Sequence, residues 1–178
     1  MSKKLVLFIA FTFIIISSYA QIEVLKIVGK NSSDYKIGYG ASLKFAYPIS
    51  DGDDITLEGG LHYFTEKDNT DYGIINVPVK AGYRYTLNRT GAGFYVEPQL
   101  GYNAYGINSY YGFNDYKNVD EKFHGVIVAG GFGFLTQPGS VKFDFGIRYE
   151  SVIYNRKFLN TVSFRIAHNF SFAGRNDY

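Results

Sequence analysis

Residues 36–47 read Lys-Ile-Gly-Tyr-Gly-Ala-Ser-Leu-Lys-Phe-Ala-Tyr. Ile37, Tyr39, Ala41, Leu43, Phe45 and Tyr47 fall on one parity, and Lys36, Gly38, Gly40, Ser42, Lys44 and Ala46 on the other. A period of two is the signature of a strand whose two faces meet different surroundings. The glycines and aromatic residues fit a pleated sheet better than a helix.

The same alternation recurs outward from this segment. Ile55 to Phe64 sets Leu57, Leu61 and Tyr63 against Thr56, Glu58 and His62. Ile75 to Tyr85 sets Val77, Val79 and Tyr83 against Asn76, Lys80 and Arg84, and Phe94 to Ala104 sets Val96, Leu100 and Tyr102 against Tyr95, Glu97 and Gln99. Beyond a long loop, Tyr105 to Lys122, comes a Gly-rich run, Phe123 to Leu135, whose phase the pattern leaves open. Val141 to Glu150 opposes Phe143, Phe145, Ile147 and Tyr149 to Lys142, Asp144, Arg148 and Glu150. Leu159 to Phe172 opposes Val162, Phe164 and Ile166 to Thr161, Ser163 and Arg165. Counting Ile22 to Lys30, also of ambiguous phase, eight strands are expected, and an even number closes an up-and-down barrel.

A soluble barrel and a membrane barrel both alternate, so the aromatic residues and the connections must decide. Large rings recur at strand ends on the apolar parity: Tyr47, Tyr83, Tyr85, Phe94, Phe170 and Phe172 toward one rim, and Tyr63, Tyr102 and Tyr149 toward the other. Aromatic girdles at both interfaces are expected of a membrane barrel. Connections at 48–54, 86–92 and 136–140 fall on one side, and those at 65–73, 106–122 and 151–157 on the other, as for short periplasmic turns and longer outer loops. Runs of about ten residues match a tilted strand crossing a bilayer. The expectation is an all-β, eight-stranded antiparallel up-and-down transmembrane β-barrel. The alternative is a secreted, soluble, lipocalin-like ligand-binding barrel with its apolar face inward.

The N-terminus reads as an address. Lys3 and Lys4 precede an apolar run, Leu5 to Ile16, and Ser18-Tyr19-Ala20 supplies a small-x-small cleavage site. These are the parts of a secretory signal peptide. The expected division is 1–20 as signal and 21–178 as the barrel. Of 18 Lys+Arg, these two lie in the signal, leaving 16 against 16 Asp+Glu. A neutral chain without a basic stripe is a poor nucleic-acid binder. The absence of Cys excludes disulfides, thiolate metal sites and Cys nucleophiles.

Three segments resemble a known family. Ile75-Asn-Val-Pro-Val-Lys-Ala-Gly-Tyr83 and Phe143-Asp-Phe-Gly-Ile-Arg-Tyr149 resemble strands of the small outer-membrane β-barrel domain family, the OmpA/OmpX-like barrels. The final run, ending near Phe172, is similar to the aromatic-ended last strand that the outer-membrane assembly machinery recognises. The resemblance implies a porin-like barrel in the bacterial outer membrane. Its surroundings would be outer-membrane lipids and lipopolysaccharide, its assembly would use that machinery, and it would be a monomer.

The polar face would fill the lumen with a charge network of Lys44, Glu58, Lys80, Arg84, Glu97, Asp144, Arg148, Glu150 and Arg165. Eight strands leave room for little but side chains. With Lys36 and Lys142 added, seven basic residues face four acidic ones, which would favour anions if the lumen conducts at all. Tyr110, Tyr111, Phe113 and Tyr116 make the outer loop a candidate binding surface, since Tyr-rich loops suit recognition. No enzyme is expected: His168 and Ser171 are three apart, on opposite strand faces, and His62 has no adjacent Ser. Gly130-Gly131-Phe132-Gly133 lies in a strand pattern and reads as close packing, not phosphate binding. No metal or cofactor motif appears. The expected role is therefore structural or surface interaction through the outer loops, with a narrow anion-preferring channel as the alternative.

Overall fold

The structure is a computed structural model that describes residues 17–30, 32–68, 72–89, 91–110, 121–136 and 142–170. Eight strands run in chain order: β1 Ser17–Val28, β2 Gly38–Ser50, β3 Asp53–Thr65, β4 Tyr72–Thr86, β5 Gly93–Tyr110, β6 Glu121–Thr136, β7 Phe143–Tyr154 and β8 Lys157–Phe170. Each pairs antiparallel with its neighbour, and β1 pairs with both β2 and β8, so the sheet closes without an edge. Closure satisfies the backbone groups that an open edge would leave to solvent or lipid.

The two parities of the sequence become two surfaces. Ile22, Leu43, Leu57, Leu100, Phe132 and Phe164 stand exposed on the outside, Ile22 at 72 % and Leu100 at 65 %. Lys44, Glu58, Arg84, Asp144 and Arg165 on the other parity are buried at 0–1 %. A water-soluble barrel would place these sets the other way round. The soluble, lipocalin-like alternative is thus set aside, because the apolar face points out.

Several strands run further than the alternation suggests. β5 continues through Tyr105 to Tyr110, and β7 through Ser151 to Tyr154. The outer connection expected at 151–157 is a two-residue turn, Asn155-Arg156. Both residues have positive φ (44° and 60°), as a type I′ hairpin turn requires. The connection at 48–54 shrinks to Asp51-Gly52, with Gly52 at φ 86°. The loop expected over 106–122 spans only 111–120 between strands.

The extensions also move two rings. Tyr102 follows Gly93 by nine residues and precedes Tyr110 by eight, and Tyr149 stands six from Phe143 and five from Tyr154. Both are mid-strand and not part of an outer girdle. Tyr39, Tyr63, Tyr105 and Phe158 are the exposed rings near the outer strand ends, and Tyr47, Tyr83, Phe94 and Phe134 near the opposite ends.

The two phases left open are also resolved. On β1, Tyr19, Gln21, Glu23, Leu25 and Ile27 face in, and on β6, Phe123, Ile127, Ala129 and Leu135 do. β1 begins at Ser17, ahead of the mature start at Gln21 that the cleavage pattern implies.

Candidate functional site: a charge-filled lumen

The interior is layered. At its middle are five acidic residues (Glu23, Glu58, Glu97, Asp144, Glu150) and five basic ones (Lys44, Lys80, Arg84, Arg148, Arg165), all buried. The nine expected from sequence lie there together, and Glu23 joins them from β1. Lys36 is exposed ahead of β2, and Lys142 is half-buried at the mouth where β1 begins and β8 ends. The basic excess expected from sequence is therefore a five-to-five balance among the described residues.

Two tiers can be distinguished. In the outer tier, Arg148 donates to Glu23 at 2.6 and 2.8 Å and to Glu58 at 2.7 Å. Lys80 bridges Glu58 at 3.0 Å and Glu150 at 2.7 Å. His62 Nδ1 is 3.5 Å from Asn76 Nδ2 and 4.0 Å from Glu150. In the inner tier, Glu97 receives Lys44 at 2.6 Å, Thr56 at 2.8 Å and Arg165 at 3.0 Å. Arg84 donates to Asp144 at 2.8 Å. Tyr95 donates its hydroxyl to Asp144 and accepts from Arg165 at 2.6 Å. Gln99 links the tiers, donating to Glu97 at 3.1 Å and to Glu58 at 3.3 Å.

Each of these ten charges has an opposite charge in contact, which buried ions require. The small residues on the inner face make the space. A Cβ at Gly146 would come within 2.8 Å of Arg165 Nε and 2.9 Å of the Tyr95 hydroxyl. The Arg84 guanidinium lies 4.5 Å from the Tyr95 ring centroid and 5.5 Å from that of Tyr19, in cation–π range.

Apolar layers lie above and below the charges. Toward the outer end, Leu25, Ile27, Phe64, Ile74, Phe123, Ile127, Val152 and Leu159 form one buried cluster. Toward the end where β1 begins and β8 ends, Tyr19, Ala46, Tyr95, Leu135 and Ala167 form another. The wholly polar filling expected from sequence is thus confined to the middle. The strand ends carry apolar residues on both faces, as in Tyr63-Phe64, Ile74-Ile75 and Val152-Ile153. Such pairs break the alternation that sequence reading relies on.

Sequence reading misses Glu23 because Leu25 and Ile27 share its face and blur the phase of β1. Tyr95, Gln99, Asn76 and His62 sit on the predicted polar faces but carry no charge pattern to single them out. Tyr110 ends β5, whereas Tyr111, Phe113 and Tyr116 lie outside the described residues. His62, His124 and His168 stay apart: His62 is in the lumen, His124 is exposed on β6, and His168 packs edge-on against Phe143. Among the described residues no group of three or more His, Asp or Glu side chains could hold a metal ion. Gly130, Gly131 and Gly133 lie within β6.

No protein-family model matches the chain, and no curated protein sequence matches it. Solved structures do resemble it in fold. Neisserial surface protein A superposes with a TM-score of 0.63 at 12% identity, covering 88% of this chain and 97% of that one. Ail, the attachment invasion locus protein of Yersinia pestis, superposes at 0.58 with 17% identity, covering 87% and 96%. The N-terminal β-barrel domain of Pseudomonas aeruginosa OprF superposes at 0.52 with 12% identity, covering 86% and 97%. The fold is that of small bacterial outer-membrane barrels, and the apolar exterior around a charged interior fits crossing a bilayer by strands.

Proposed function

We propose that this chain, an eight-stranded outer-membrane β-barrel, acts from its outer surface as a structural or surface-interaction protein and not as a pore. One observation carries the reading: a charge-balanced lumen flanked by buried apolar clusters, of which Ala46, Tyr95, Leu135 and Ala167 remain at the periplasmic end once the signal is removed. Ions crossing it would need to break paired charges and then pass dewetted constrictions. What remains for function is the outer face, with the loop between β5 and β6 as its largest connection.

The first twenty residues are read as a signal peptide removed near Ala20, placing the barrel in the outer membrane among lipids and lipopolysaccharide after delivery by the assembly machinery. The barrel is read as a monomer without enzymatic activity. Sequencing the N-terminus of the membrane-inserted form tests the cleavage. A start at Gln21 supports it, and retention of Tyr19 counts against it.

Ail has been solved in complex with the heparin analogue sucrose octasulfate. Sulfated polysaccharide is therefore the first partner to test. Cells displaying the barrel should retain heparin, and deletion of 111–120 should abolish retention while leaving the heat-shifted gel band of a folded barrel. Retention unchanged by the deletion would overturn the loop assignment. Planar bilayers should stay silent with purified protein, and steady conductance would favour the channel reading.

A further inference from the structure

The outer apolar layer is the floor of a cleft of about 640 Å³. Ile27, Ile74, Phe123 and Leu159 form that floor, and Tyr35 and Tyr154 pack against it. The Phe123 and Tyr154 rings lie 4.7 Å apart with their planes tilted by 33°, giving a shallow aromatic surface. Tyr35 is held over the mouth from behind: Lys26 donates to its carbonyl at 2.7 Å, and its backbone bridges to Glu66.

The rim differs in character from the floor. Lys30 and Arg156 bring cations to the rim, and among the described residues no acidic side chain lines the cleft. Because the lumen charges below are balanced five to five, they do not neutralise this rim. Arg156 also occupies the second position of its turn at φ 60°, where Gly is the favoured residue.

An apolar floor does not suit a small hydrated anion, and a cationic rim gives nothing to a neutral apolar molecule. The volume lies in the range of small-molecule sites. We infer that this outer cleft binds a water-borne amphipathic anion. Its aromatic or short acyl body rests on the Phe123–Tyr154 floor, and its sulfonate, sulfate, phosphate or carboxylate lies between Lys30 and Arg156. The inference does not depend on the loop reading above, because none of the residues it uses lies in 111–120.

The test is calorimetric titration of naphthalene-2-sulfonate into the full barrel held in phosphatidylcholine nanodiscs, with empty discs as the reference. The expected result is saturable binding at one site per barrel. Lys30→Gln with Arg156→Gln should weaken it by about tenfold or more, equivalent to about 1.4 kcal/mol. Tyr154→Ala, which removes one ring of the floor, should also weaken it, with the heat-shifted band confirming that both variants fold. Neutral 2-naphthol and inorganic sulfate should each bind at least about tenfold more weakly, since each satisfies only half the site. Absence of saturable binding, binding unchanged in both variants, or sulfate binding as well as the sulfonate would overturn the proposal.

Discussion

One guanidinium nitrogen of Arg148, on β7, reaches both carboxylate oxygens of Glu23, on β1, at 2.8 and 2.6 Å, while the other donates to Glu58 on β3. A single cation thus holds two acids on strands that are not its neighbours in the sheet. Arg148→Met leaves both acids short of a partner and should cost about 3–5 kcal/mol. The urea midpoint of the folded gel band reads this directly. Arg148→Met combined with Glu23→Leu should recover part of the loss, because the stranded charge is removed with its partner. An additive loss would mean that the two residues act separately.

The outward apolar face gives a sharper test of the membrane. Leu100, exposed at 65 % on β5, is a position where arginine would be harmless in a water-soluble protein. In a bilayer Leu100→Arg should destabilise by up to about 2–4 kcal/mol, depending on depth. Leu87→Arg, at a comparably open position in the turn after β4, should be close to neutral. Equilibrium unfolding in lipid vesicles compares the two, and equal effects would contradict a bilayer around β5.

These positions also show what the sequence makes legible. Leu100 and Glu97 follow strict alternation, so parity alone assigns them to opposite faces. Leu25 and Glu23 cannot be separated in that way. The inner face of β1 changes from polar to apolar along its length, because the outer seal needs Leu25 and Ile27 where the middle layer needs Glu23. Alternation reports which side a residue takes and not how far along the axis it stands. The apolar plugs, the five-to-five balance and the anion cleft all depend on that second coordinate. The cleft also depends on residues from β1, β4, β6, β7 and β8 that only closure brings together.

Packing around Tyr95 should be intolerant of added volume. A Cβ at Gly146 meets both the Tyr95 hydroxyl and Arg165, so Gly146→Ala should cost about 1–3 kcal/mol. Tyr95→Phe removes the hydroxyl that Gly146→Ala crowds, but it also removes the contacts to Asp144 and Arg165. The double variant should therefore be more stable than the sum of the single changes implies. A strictly additive pair, measured by urea midpoints, would place the clash elsewhere.

The β7–β8 turn separates stability from binding. Arg156→Gly removes a side chain from a left-handed conformation and should stabilise the hairpin by up to about 1 kcal/mol. The same change takes a cation from the cleft rim and should weaken naphthalene-2-sulfonate binding. A gain in urea resistance with a loss in affinity is the expected outcome. Loss of both would show that the turn depends on arginine for its geometry.

The pairing of the lumen charges also bears on how the protein can be built. Glu97 on β5 has Arg84 from adjacent β4 at 3.5 Å, but it also draws on Lys44 from β2 and Arg165 from β8, and Glu23 on β1 depends on Arg148 from β7, so no partial run of hairpins carries all of its own counter-ions. An unrolled sheet entering hydrocarbon would drag lone ions with it, at several kcal/mol each. Stepwise delivery of hairpins into lipid is therefore uphill until the last strand meets the first. Rolling up must precede or accompany entry, which makes insertion an all-or-none event with its barrier at the β1–β8 seam.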